Sequence, residues 1–183
     1  MLLTLFVCSS LLLVNSKVFL SPSSTIISYD IVSDLEDWVR GPSKPNGGKA
    51  VAAIGNPRWT ANIPGAIWIW DSESVTDPTV VQTAYYVKEF FIPGVPLSAS
   101  FTVGADNKIW TYLNGESFGC DNLGGSWWSG SEKTCNALSK VKYGPNVLNI
   151  TVVNNAVSGL APGIGNNPAG VLYKLSLTVR IDN

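Results

Sequence analysis

Toward the C-terminus every second residue is apolar: Val171, Tyr173, Leu175, Leu177, Val179 and Ile181 alternate with Lys174, Ser176, Thr178 and Arg180. Successive side chains of a strand point to opposite faces, so this spacing predicts a half-buried β-strand. A one-residue slip would turn the whole apolar set into water, which pins the register. The same alternation runs over residues 96–106, with Leu97, Ala99, Phe101, Val103 and Ala105 on one face and Ser98, Ser100, Thr102 and Gly104 on the other. Residues 147–153 predict a strand with Leu148, Ile150 and Val152 inward and Asn149 and Thr151 outward. Residues 83–92 are rich in aromatic and β-branched side chains and predict a strand partly covered on both faces. Residues 108–113 and 116–119 flank Asn114-Gly115, a pair that accepts the positive φ angles of a tight hairpin. Residues 25–32, 50–54 and 66–70 add earlier strands. Only residues 33–39 suggest a helix, one or two turns long, with Ser33 and Glu36 at capping-box spacing.

Glycine, proline, asparagine and serine gather between these runs, at 41–48, 56–57, 94–96, 124–125 and 158–170. Many short strands joined by such turns predict an all-β chain, folded as an antiparallel two-sheet sandwich. No repeat or linker divides residues 17–183, so one domain is expected there. The stretch 158–169 is a long loop, of the kind that often carries function.

Residues 1–14 form an uninterrupted apolar run, shorter than the ~20 residues a spanning helix needs. Val14 and Ser16 suit a cleavage after Ser16, so residues 1–16 are expected to be a signal peptide and the remainder secreted. No second long apolar stretch follows, so no integral membrane segment is expected. With Cys8 in the leader, Cys120 and Cys135 remain, and an oxidising compartment makes a disulfide between them the expectation. Two cysteines without a histidine make only half a zinc site. Asn149-Ile150-Thr151 is an N-glycosylation sequence, and the outward placement of Asn149 favours its use.

Lys+Arg 12 against Asp+Glu 13 leaves a net charge of −1, which gives no basis for holding nucleic acid by phosphate neutralisation. The absence of histidine removes Ser-His-Asp and Cys-His catalysis. No phosphate-binding loop or dinucleotide fingerprint is present, and no cofactor is expected.

An ordered series of motifs runs along the chain: Trp68-Ile69-Trp70-Asp71, then Tyr85 to Ile92, Ala105-Asp106-Asn107, Tyr112-Leu113-Asn114-Gly115, Asn146-Val147-Leu148 and Pro168-Ala169-Gly170. Over about residues 58–181 this series resembles the galactose-binding-like jelly-roll modules, the non-catalytic β-sandwich domains found beside glycoside hydrolases. The resemblance implies a jelly roll whose loops at one end bind sugars, in some members with a structural calcium ion. The chain departs from that pattern in its loop between Cys120 and Cys135 and in the long loop 158–169.

The candidate site lies in the first of these loops, where Trp127 and Trp128 sit within residues 124–130. An indole offers the flat apolar surface on which a pyranose packs its C–H face, and neighbouring polar groups bond its hydroxyls. Adjacent residues of an extended segment point opposite ways, so one ring is expected buried and one exposed. Asn122, Ser126, Ser129 and Asn107 are the expected hydrogen-bonding partners. Trp68 and Trp70 share a face if 66–70 is a strand, as do Trp110 and Tyr112, and all four read as structural. Asp106-Asn107 and the acidic loop Asp71, Glu73, Asp77 supply oxygens suited to calcium; equally, Asp at a strand end bonds the amides of its own turn. Glycoside hydrolysis needs two facing carboxylates, and no spacing here singles out a pair. The expectation is therefore a secreted, non-enzymatic module that binds carbohydrate or glycoprotein. The alternative is a structural extracellular protein, of coat, wall or filament type, that self-associates.

Overall fold

The computed structural model describes residues 23–54, 59–75, 77–159 and 167–182. The expected signal peptide and most of the 158–169 loop lie outside these residues. Among the described residues twelve strands follow in order: β1 Ser24–Val32, β2 Trp38–Gly41, β3 Lys44–Lys49, β4 Val51–Ala52, β5 Ile69–Trp70, β6 Gln82–Ile92, β7 Val95–Asp106, β8 Lys108–Leu113, β9 Glu116–Ser117, β10 Lys133–Asn136, β11 Gly144–Asn154 and β12 Gly170–Asp182. A single 3-10 turn, Leu138–Lys140, is the helical element among the described residues. No helix there is long and apolar enough to cross a membrane.

The strands form two antiparallel sheets. One runs β10-β7-β12-β5-β4, with β1 also paired to β12; the other runs β3-β2-β6-β11-β8-β9. From β5 to β12 the chain changes sheet at every step except the β8–β9 hairpin. The result is β5-β12-β7-β10 facing β6-β11-β8-β9, the winding of a jelly roll. The predicted alternation places the core. Phe101, Val103, Ala105, Val171, Tyr173, Leu175, Leu177 and Val179 from the first sheet meet Ala84, Tyr86, Ile109, Leu113, Leu148, Ile150 and Val152 from the second. The hairpin turns at Asn114 (φ 54°) and Gly115 (φ 82°), as its sequence predicts.

Three expectations change. Residues 33–39 form no helix. Ser33 instead ties β1 to the far end of the chain, its hydroxyl donating to the Ile67 carbonyl (2.7 Å) and accepting the Tyr173 N–H (3.1 Å). With Ser33 so engaged the capping box cannot close, and Trp38 already opens β2. Asp37 turns inward, where Lys88 pairs with it at 2.7 Å and the Tyr173 hydroxyl donates to it at 2.9 Å. Second, the cover on β6 is uneven: Ala84, Tyr86 and Ile92 are buried on the inner face, while on the outer face Thr83 and Val87 are half-buried and Tyr85 and Phe91 are 43% and 58% exposed. Third, Trp68 and Trp70 do not share a face. Trp70 joins the core, whereas Trp68 lies over Gly104 and Gly170 on the outside of the first sheet.

That outer covering is a small second core. A Cβ on Gly104 would sit 3.5 Å from Trp68 and 3.6 Å from Ala61, and one on Gly170 would sit 3.0 Å from Trp59. The two bare backbones therefore let the segment around Trp59 lie flat on the sheet. Trp59 and Trp68 stack at 4.3 Å between ring centroids, and Ala61, Ile63 and Leu172 are buried beneath this layer.

Candidate functional site

The disulfide Cys120–Cys135 closes the loop after the β8–β9 hairpin, with Cys120 buried and Cys135 paired to Phe101 across β10 and β7. The loop is stitched to the sandwich end at intervals. Asp121 accepts the Thr111 N–H at 2.8 Å, Asn122 and Ile109 exchange both backbone hydrogen bonds (3.0 and 2.8 Å), and Ser126 accepts and donates to the backbone of Ala105. The loop thereby follows the start of β8 and the end of β7; it carries Asn122, Ser126, Trp127, Trp128 and Ser129, while Asn107 stands between β7 and β8.

At its tip the Trp127 carbonyl accepts the N–H groups of both Thr60 and Ala61 at 2.9 Å. Gly125 provides the seat for the Trp127 ring. Its φ is 82°, and a Cβ there would fall 1.9 Å from the indole, so only glycine fits. Trp127 is half-buried; Trp128 stands edge-on against it, with centroids 5.1 Å apart, and is 47% exposed. Ser131 holds the Trp128 backbone from both sides, its hydroxyl accepting the N–H and donating to the carbonyl. The Ser129 N–H donates to the Thr60 hydroxyl at 2.9 Å, and Glu132 accepts the N–H groups of Asn62 and Gly130. The backbone beneath the exposed Trp128 indole is thus held in place.

The remaining candidates are placed less favourably for a ligand. Ser126 is fully buried and its hydroxyl accepts the Ala105 N–H at 3.0 Å, so it belongs to the loop's internal bracing rather than to the ligand set. Asn122 folds its amide back on its own turn, accepting from Gly124 and donating to the Gly125 carbonyl. Asn107 accepts the Asn155 N–H at 2.7 Å and donates to Asp106. Ser129 keeps its side chain free and borders a shallow polar recess together with Asn62, Thr102, Glu132, Thr134 and Lys174. A carboxylate, an ammonium and several hydroxyls thus lie beside the Trp128 loop.

Sequence reasoning missed Trp59 and the state of Asp106. The alternation along β7 places Asp106 outward, as a polar residue should be, yet the Trp59 layer covers it to 7% exposure. The indole N–H donates to its carboxylate at 2.8 Å. Burial raises the carboxyl from an ordinary 3.8 to about 6, and the Trp59 hydrogen bond offsets only part of this. No periodicity marks Trp59, because it belongs to an irregular segment whose position depends on Gly104 and Gly170. The acidic loop is likewise spent internally: Asp71 is buried and accepts the Ser43 N–H at 2.6 Å, and Asp77 accepts from Thr79. Among the described residues no group of three or more acidic or cysteine side chains converges as a metal site would require.

Fold and rim together define an antiparallel jelly-roll sandwich with a disulfide-closed aromatic loop at one end. No protein family model and no curated protein matches the chain. Solved structures do. A β-glucuronidase of an uncultured Clostridium species is 12% identical with TM-score 0.46, matching 88% of this chain and 31% of its own. The β-D-glucuronidase of Dictyoglomus thermophilum is 16% identical with TM-score 0.47, over 87% and 29%. An α-L-rhamnosidase of Streptomyces avermitilis, complexed with L-rhamnose, is 19% identical with TM-score 0.46, over 80% and 13%. The chain spans less than a third of the length of each.

Proposed function

We propose that this chain is a secreted, non-catalytic module of the galactose-binding-like group that binds carbohydrate or glycoprotein through its disulfide-closed loop. Residues 1–16 serve as its signal peptide and residues 17–183 as its single domain, working outside the cell without a cofactor. The observation that carries the reading is Trp128, an indole 47% exposed on a backbone fixed by Trp127, Thr60 and Ser131. A pyranose stacks on that ring, with Ser129, Thr134, Glu132 and Lys174 within the adjoining recess as hydrogen-bond partners. One such contact is weak, so several modules or several sugars act together.

The test is retention of the secreted protein on insoluble polysaccharides and on a glycan array, compared with Trp128→Ala and with Trp127→Ala/Trp128→Ala. Wild type is expected to be retained on at least one glycan, and both variants to lose at least tenfold. Equal retention of all three would take the loop out of the account. A second reading, self-association as a structural subunit, is favoured by a different observation. Phe91 and Tyr143 are 58% and 66% exposed and meet edge-on at 6.3 Å where β6 ends beside the start of β11. Size that rises with concentration on gel filtration, unaffected by free sugar, would support that reading.

A further inference from the structure

The outer face of the β6-β11-β8 sheet carries an arrangement independent of the rim. Asn149, midway along β11, points outward and is partly exposed. Register sets Val87 on one side of it and Tyr112 on the other, with Trp38 beyond Val87. In the next row Thr151 lies between Tyr85 and Trp110, and the Arg40 guanidinium stands 5.1 Å from the Tyr85 ring centre. Trp38, Tyr85 and Tyr112 are 42%, 43% and 37% exposed, an aromatic surface left to solvent around one central amide. Directly opposite side chains on neighbouring strands lie about 4.5–5.5 Å apart at Cβ. A sugar joined to Asn149 therefore reaches the Tyr112 ring without a spacer. The sequence Asn149-Ile150-Thr151 is an acceptor for N-glycosylation.

We propose that Asn149 carries an N-linked glycan whose first sugar packs on Tyr112, so that the chain's own carbohydrate covers this aromatic face. The proposal rests on the secretory reading above. In the transfer, the Asn149 amide nitrogen forms a bond to C1 of the first N-acetylhexosamine of a polyprenyl-diphosphate oligosaccharide. The C1–O bond to the diphosphate breaks, the lipid diphosphate leaves with the electron pair, and the amide gives up one proton. The pyranose C–H face then meets the tyrosine ring, and its acetamido and hydroxyl groups face Thr151 and solvent. A bulky polar substituent at the centre of the face also blocks any flat partner, including a second copy of the chain.

The full chain is produced in a eukaryotic secretory host, and the glycan is read by mass at Asn149. Wild type and Thr151→Ser, which keeps the acceptor sequence, are expected to be secreted with sugar attached; Thr151→Ala is expected to be secreted bare. Trimming wild type enzymatically to one N-acetylglucosamine is expected to leave the melting temperature within about a degree. Thr151→Ala is expected to melt roughly 2–4 °C lower than Thr151→Ser, the size of shift a stacking contact of this kind gives in a domain of this length. In a Tyr112→Ala background that gap is expected to close. Secreted wild type with Asn149 bare overturns the glycan while leaving secretion standing. Equal melting temperatures for bare Thr151→Ala and glycosylated Thr151→Ser, or the same gap without Tyr112, overturn the stacking contact. Binding of added oligosaccharide or of a second copy to glycosylated protein at this face also overturns it. Retention in the cell with residues 1–16 attached overturns both this inference and the secretory reading.

Discussion

Replacing Asp106 by Asn tests how the rim is held. The carboxyl is 7% exposed beneath Trp59, and burial raises its pKa to about 6 from an ordinary 3.8. Because the folded value lies above the unfolded one, folding is penalised once the unfolded carboxyl ionises. The penalty is absent well below pH 3.8, grows as pH rises, and is complete above about pH 6. A rise of this size corresponds to about 3 kcal/mol. Asparagine removes the charge and still accepts the Trp59 N–H. It also turns an NH2 group toward the side-chain NH2 of Asn107, which now donates to Asp106, at a cost of about 1 kcal/mol. The variant is therefore expected to be about 2 kcal/mol more stable than wild type near pH 7.5, with the difference shrinking to about zero near pH 4.5. Urea unfolding of both proteins at several pH values between these limits measures it. A difference that does not change with pH, or a variant less stable near pH 7.5, would refute the assignment of a strained buried carboxylate at this position.

Two further outcomes follow from the interior and the loop. Lys88→Met leaves the fully buried Asp37 carboxylate with no cation, only the Tyr173 hydroxyl and the Asp34 N–H, and is expected to cost about 3–5 kcal/mol. Lys88→Met/Asp37→Asn should recover most of that in the same thermal melt, and a double variant as unstable as the single one would show that the pair's charge is not the cause. Cys120→Ser/Cys135→Ser opens a loop of sequence separation 15 and is expected to lose about 3 kcal/mol by urea titration. An unchanged midpoint would mean that the hydrogen bonds to Thr60, Ala61 and Ala105 hold the loop by themselves.

Much of the architecture is readable in the chain because a strand states its own orientation. Alternation over 96–106 and 171–181 already names Phe101, Val103, Leu175 and Leu177 as core, and the structure buries all of them. Asn114-Gly115 states its turn for an equally local reason, the positive φ both residues accept. The pairing of Cys120 with Cys135 is legible once Cys8 is set aside in the expected leader. Residues 33–39 are misread because a local capping signal competes with distant partners, Ile67, Lys88 and Tyr173, which only the closed sandwich brings near.

At the rim, residue identity singled out the Cys120–Cys135 loop but could not say which of its side chains the fold would bury. Trp127 and Trp128 are neighbours of equal chemistry; the seat at Gly125 and the clamp by Thr60 make one a support and leave the other exposed. Ser126 and Ser129 are equally polar in sequence, yet the Ala105 backbone buries the first and leaves the second at the recess. Fold class and the inward face of each long strand arise from patterns within a strand, so the sequence alone determined them; the shift of the β12–β7 register at Thr178 and Val179, with Leu97 38% exposed, arises between strands and does not show in the alternation. Which aromatic faces water, which carboxyl is buried at Asp106, and which outer sheet face stays bare depend on segments far apart in the chain meeting across the sandwich. Those were decided by tertiary packing, because burial is a property of what lands on a residue and not of the residue itself.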